Sequence, residues 1–106
     1  EQLDHVYNYS QPLVYVVNMG SSVDEYALNV SNRLRAQRIS TCMNIGTTSF
    51  KSQLKKADKS GASFAIIIGD DEVKKKTVQI KLLRKEMDQQ EVLFNNIVDF
   101  IKNNAL

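Results

Sequence analysis

Residues 13–17 (Leu-Val-Tyr-Val-Val) form a continuous, largely β-branched run, the pattern of a strand buried on both faces. Asn18, Met19 and Gly20 break it. Ser22, with Glu25 three positions later, makes a capping box that predicts a helix running to about residue 37. Its apolar positions Val23, Tyr26, Ala27, Val30 and Leu34 fall on one helical stripe, with Arg33 and Arg35 off it. A second strand is expected over 39–45, closed by Gly46, Thr47 and Thr48, and a second helix over 49–59. In that helix Phe50, Leu54 and Ala57 recur at i, i+4 and i+7 and are expected to face the core, and Gly61 stands where a helix stop favours glycine. The run 63–68 reads as the most buried strand and Gly69 ends it. Residues 70–76 read as a charged loop or a single helical turn. Over 77–83, Val78, Ile80 and Leu82 alternate with Gln79 and Lys81, a half-buried strand. A turn at 84–86 leads to a more polar strand over 87–92, and a helix over 94–103 closes the chain with Ile97, Val98 and Ile101 inward.

This order predicts an α/β fold. Strands separated by helices need crossovers, so the first three are parallel, while the last two are close enough to pair as an antiparallel hairpin. The expected architecture is a five-stranded mixed sheet flanked by three helices. Residues 1–12 show no periodicity and end in Gln11-Pro12, so they read as a linker or the tail of a preceding element, with the domain over 13–106.

Composition narrows the chemistry. At 106 residues, 42% hydrophobic and 25% charged, the chain is large enough for one core and is unlike a disordered segment. The longest uncharged apolar runs, such as 64–68, fall far short of the roughly 20 residues a bilayer helix needs. Cys42 is the single cysteine, which excludes an internal disulfide and fits a reducing compartment. With only His5 beside it, 37 positions away, little remains for a zinc site. The sequence starts at Glu1 without an initiator methionine or a signal-peptide pattern and reads as a piece of a longer protein. The formal net charge of +2 hides a segregation: residues 1–32 carry −4, residues 33–85 carry +9 and residues 86–106 carry −3. A basic middle of that size points to an anionic partner, against the plainer reading of a lysine-rich solvated surface.

In open α/β sheets, ligands gather at the carboxyl ends of the parallel strands. Of the three such ends, Gly46-Thr47-Thr48-Ser49 is the most suggestive, with a flexible backbone, hydroxyls and the N–H groups of a helix start. The same residues also suit a plain turn with an N-cap. They are not a nucleotide P-loop, because the second glycine and the Gly-Lys-Ser/Thr ending are missing. Lys51, Lys55 and Lys59 follow at i, i+4 and i+8, with Lys56 beside them. Like charges at that spacing cost an isolated helix about 0.2–0.5 kcal/mol per pair, a cost easier to understand if an anion meets them. Asp70, Asp71 and Glu72 are a weak candidate for magnesium, since no acidic pair follows the first strand. Tyr7, Tyr9, Tyr15 and Phe50 are able to stack on unpaired bases, although Tyr15 and Phe50 are expected in the core, and Cys42 reads as a small buried hydrophobe. No nucleophile, base and orienting group can be assembled, so the residues alone describe a binding module.

The stretch 46–73, Gly-Thr-Thr-Ser-Phe-Lys-Ser-Gln-Leu-Lys-Lys-Ala-Asp-Lys-Ser-Gly-Ala-Ser-Phe-Ala-Ile-Ile-Ile-Gly-Asp-Asp-Glu-Val, resembles the C-terminal anticodon-binding domain of class II aminoacyl-tRNA synthetases of the histidyl type. The likeness extends to the first strand with Gly20, to Arg33-Leu34-Arg35, and to Lys81-Leu82-Leu83-Arg84, covering about 13–101. It implies a tRNA partner, recognised at the anticodon stem-loop of histidine tRNA, with RNA-binding residues Gly46, Thr47, Thr48, Ser49, Lys51, Gln53 and Lys55. Thr47 to Ser49 and Gln53 would hydrogen-bond bases or sugars, Lys51 and Lys55 would meet phosphates, and Asp58 would hold the helix end. Thr48 departs from the Arg or Gly of many members, and Ser52 from a usual second lysine; Lys56, Arg38 and Lys74 to Lys76 are candidates to compensate. The resemblance further implies a cytoplasmic histidine–tRNA ligase whose catalytic domain precedes residues 1–12 and uses ATP and magnesium. No cofactor or metal is expected in this chain, and no membrane contact. The whole ligase would be a homodimer joined mainly through the catalytic domain, leaving this chain able to stand as a monomer. Two other readings stay open: a non-catalytic regulatory or protein-interaction module on the same scaffold, and a flavodoxin-like small-molecule binder, against which the hairpin over 77–92 speaks.

Overall fold

A computed structural model describes residues 13–19, 23–43, 49–84 and 88–104. Five strands form one sheet in the order β2-β1-β3-β4-β5: β1 Val14–Asn18, β2 Thr41–Met43, β3 Phe64–Ile68, β4 Thr77–Leu82 and β5 Gln90–Leu93. Strand β1 pairs parallel with both β2 and β3, whereas β4 pairs antiparallel with β3 and β5. The helices are α1 Asp24–Ala36, α2 Phe50–Lys59, α3 Asp70–Lys75 and α4 Ile97–Asn104, the last entered through a 3-10 turn Phe94–Asn96. The mixed five-stranded sheet matches the expected fold class, and the expected charged turn at 70–76 is a fourth short helix.

Alternation decides which face each strand residue serves. Val14, Val16, Phe64, Ile66, Ile68, Val78, Ile80, Leu82 and Val92 pack against α1 (Tyr26, Ala27, Val30, Leu34) and α4 (Ile97, Ile101). Tyr15, Val17 and Ile67 face the other way and pack with Ala57 and Ala62, with Leu54 and Cys42 half-buried beside them. β1 and β3 are therefore apolar on both faces because helices cover both. Gln79, Lys81, Glu91 and Leu93 lie on the α2 side of β4 and β5, and Lys81, Glu91 and Leu93 are exposed there. Tyr26 donates its buried hydroxyl to the Thr77 carbonyl (2.8 Å) and packs its ring 5.7 Å from that of Phe94, tying α1 to β4 and α4. Burial, and secondarily the charge of Glu72, raises the Tyr26 phenol above its usual range.

Helix ends differ from expectation. The N-cap of α1 is Val23, with no side-chain cap bond, and Asp24 and Glu25 sit in the first turn. Acidic residues there complement the helix dipole in place of the expected capping box, whose Ser22 lies outside the described residues. At the other end Ile39 N–H bonds Leu34 C=O (3.0 Å) and Arg38 N–H bonds Arg35 C=O (2.9 Å), a Schellman cap in which buried Ile39 meets buried Leu34. That cap uses Arg38 and Ile39, so β2 begins at Thr41 rather than at 39.

The cap places Arg38 at φ 63°, a left-handed conformation that glycine adopts without steric cost. Arg38→Gly is therefore expected to stabilise the chain by about 0.5–1 kcal/mol, read as a higher urea midpoint at unchanged slope. A lower midpoint would mean that the arginine side chain contributes more than its backbone costs.

Candidate nucleic-acid interface

The parallel strands end at Asn18, Met43 and Ile68, and α2 starts at that same end. Gly46, Thr47 and Thr48 lie outside the described residues. Ser49 is the N-cap of α2, its extended backbone turning the chain while its Oγ accepts the Ser52 N–H (3.2 Å). That bond satisfies one of the orphan donors of the first turn and leaves the hydroxyl proton available outward.

From this cap, α2 runs back along the sheet with three differently employed sides. Lys51, Lys55, Lys56 and Lys59 are exposed, so the predicted cationic stripe faces solvent. Ala57 is buried against the sheet. The C-terminal turn is held from β4's end: Arg84 Nη1 donates to Asp58 Oδ1 and Arg84 Nη2 to the Asp58 carbonyl, at 2.8 and 2.7 Å. Arg84 thus neutralises Asp58 and caps a helix carbonyl in one fork, the helix-end role expected of Asp58.

Among the expected site residues that are described, Gln53 is the one that turns inward. It is 1% exposed, its Oε1 accepts the Asn18 N–H (2.9 Å) and its Nε2 donates to the Asn18 carbonyl (2.7 Å). The next amide along, Met19 N–H, bonds Ile68 C=O on β3, so by strand alternation the Asn18 groups point the other way, toward β2. The described register of β2 on β1 stops at Met43, opposite Val16. The Gln53 amide thus pairs with the Asn18 backbone on the β2-facing edge of β1. Where the motif suggests a contact with a base or sugar, the Gln53 amide is engaged in joining α2 to β1, while Ser49, Lys51 and Lys55 are exposed on α2.

Two large apolar side chains are exposed at this end: Phe50, expected inward, is 37% exposed, and Met19, just past the first strand, is 42% exposed. Asp70, Asp71 and Glu72 form the first turn of α3 at the end of β3, where Glu72 Oε1 accepts the Gly69 N–H (2.8 Å). A Cβ on Gly69 would lie 3.1 Å from that same oxygen and 3.7 Å from Met19 Cβ, so the turn is tightly closed. Lys74 and Lys75 in the last turn of α3 and Lys76 at its C-cap are exposed near the same end, whereas Arg38 caps α1 at the opposite end of the sheet. Tyr15 is core, its phenol raised by burial and then by Cys42; Tyr7 and Tyr9 lie outside the described residues. A groove of about 480 Å³ between α1 and α4 is lined by Arg33, Gln37, Asn95, Asp99 and Lys102. Within it Lys102 Nζ donates to Gln37 Oε1, and Arg33 stacks 4.9 Å over Phe94. No helix among the described residues is long and apolar enough to cross a membrane.

Comparison with known proteins agrees with this geometry. The family model described as anticodon binding domain matches residues 13–104. The histidine–tRNA ligase of Hydrogenovibrio crunogenus is 41% identical over 99 residues, covering 92% of this chain and 23% of that protein. That of Laribacter hongkongensis is 40% identical over 88 residues, covering 83% of this chain and 21% of that protein. Among solved structures, histidyl-tRNA synthetase from Nostoc sp. superposes with a TM-score of 0.81 at 28% identity, over 91% of this chain and 23% of that one. The RNA binding domain of threonyl-tRNA synthetase from Cryptosporidium parvum superposes with a TM-score of 0.80 at 14% identity, over 95% of this chain and 26% of that one, a likeness of fold alone. The chain spans about a fifth of the length of the ligases it matches.

Proposed function

The chain belongs to the anticodon binding domain family, and from that premise we propose that it recognises the anticodon stem-loop of histidine tRNA as one domain of a histidine–tRNA ligase. The observation that carries the reading is the pair of exposed lysines, Lys51 and Lys55, one turn apart on a helix that starts at the strand carboxyl ends. The loop 46–48 and the Ser49 hydroxyl offer hydrogen bonds to bases and riboses, and Lys51 and Lys55 meet phosphates. Gln53 contributes by fixing where the first turn of α2 stands. In this reading the whole protein is a cytoplasmic homodimer that attaches histidine to its tRNA. In the same reading, ATP and magnesium belong to the other parts of the ligase.

Binding of the 106-residue chain to the histidine anticodon stem-loop, beside one with a scrambled loop, tests this across a salt series. The expected result is tighter binding to the cognate loop, with affinity that falls steeply as salt rises. Equal binding to both loops would reduce the surface to a general electrostatic one. Absence of binding to either at low salt would overturn the RNA reading and favour a protein-interaction module on the same scaffold.

A further inference from the structure

Phe50 and Met19 owe their exposure to where the sheet stops. Gln53 already stands at Asn18, the last residue of β1. Phe50 lies three residues earlier on the same side of α2, about 4.5 Å further along the helix axis, beyond the end of β1. Met19 follows Asn18, and strand alternation gives it the same face as Tyr15 and Val17, the face that α2 covers. Both side chains therefore overhang one end of the sheet on one face. They are two of four large apolar side chains exposed among the described residues; the others are Leu28 on α1 and Leu93 on β5.

Resting on the RNA reading above, we propose that this overhang is a stacking step: one unpaired base of the RNA loop lies on the Phe50 ring, with Met19 as its apolar flank. Charge selects the occupant and its orientation. Lys51 and Lys55 rise from α2 beside Phe50, whereas the three carboxylates and three lysines of 70–76 at the end of β3 balance in formal charge. Phosphates are drawn to the α2 lysines, so the strand's backbone tracks α2 and its base turns inward over the ring. An apolar face beside cations is what a single-stranded nucleic acid matches, because every nucleotide carries a base π-face and a phosphate together. A purely apolar protein partner would leave the lysines without a role.

Binding of the histidine anticodon stem-loop is measured for the wild-type chain, Phe50→Leu and Phe50→Tyr, with abasic nucleotides placed at each loop position in turn. Phe50→Leu, which keeps an apolar side chain without the ring, is expected to weaken binding by about 10-fold, with Phe50→Tyr close to wild type. The salt slope stays unchanged because no charge is removed. At one loop position the abasic RNA weakens wild-type binding, and Phe50→Leu adds nothing further there. Wild-type affinity in Phe50→Leu, or losses that add at every loop position, would overturn the stacking step while leaving the RNA reading intact. A wild-type chain that binds no RNA would remove both. Self-association that Phe50→Leu abolishes, without an effect on RNA affinity, would assign the overhang to protein contact.

Discussion

Gln53→Ala is expected to cost about 3 kcal/mol, the largest stability loss predicted for any residue of the interface. Two hydrogen bonds to the Asn18 backbone disappear, at about 0.5–1.5 kcal/mol each, and their partly buried partners lose the groups they faced. Truncating a side chain that is 1% exposed also leaves a void, which contributes about 1 kcal/mol more. For a chain of this size the melting temperature should fall by about 12 °C. Gln53→Met separates the two contributions: it keeps most of the volume, loses both hydrogen bonds, and should recover part of the loss. Gln53→Glu keeps an acceptor for the Asn18 N–H but sets a second oxygen against the Asn18 carbonyl, so it should be no better than alanine at neutral pH.

RNA binding gives the same experiment a second readout. If Gln53 acts by holding α2 on β1, its variants weaken RNA binding together with stability and leave the salt slope unchanged. An unchanged melting temperature with lost affinity would instead return Gln53 to direct contact with the RNA, the role its place in the motif suggests. Calorimetry and binding on one preparation distinguish the two.

Why the sequence reverses Phe50 and Gln53 is instructive. Periodicity reports which side of a helix faces the sheet, and it does so correctly for α1, where Val23, Tyr26, Ala27, Val30 and Leu34 are all buried. It also points α2 the right way, since Ala57 is buried. What periodicity cannot report is height, that is, where along the helix the sheet beneath it ends. That register is tertiary, set here by the bond between Gln53 and Asn18. Phe50 has an apolar side chain on the sheet-facing side but stands past the strand end; Gln53 has a polar one yet stands where it pairs with the Asn18 backbone. The late start of β2 has a similar cause, because the Schellman cap of α1 claims Ile39, which reads as strand. The fold class was legible because β-branched runs and crossovers constrain topology strongly, and the cationic stripe because exposed lysines need no partner to be seen.

That stripe gives the second large effect. Replacing Lys51 and Lys55 together by glutamine is expected to lower affinity for the anticodon stem-loop by about 10–100-fold near 0.1 M salt and to flatten the dependence of log K on log salt by about 1.4, the value for two phosphate contacts to a single strand. Glutamine keeps helix propensity and side-chain length, so α2 itself should persist. Stability should move in the opposite direction to affinity. Lys51–Lys55 and Lys55–Lys59 are like-charge pairs at i, i+4, and removing both relieves repulsion of about 0.5 kcal/mol in total. A double variant that melts slightly higher yet binds RNA more weakly cannot be explained by misfolding, and only an anion meeting those two ammonium groups accounts for both signs. Lys102→Gln serves as the control, because Lys102 on α4 lies across the sheet from the stripe and should change neither affinity nor slope. Unchanged affinity and slope in the double variant would leave the lysines as a solvated face and would take away the observation on which the RNA reading rests.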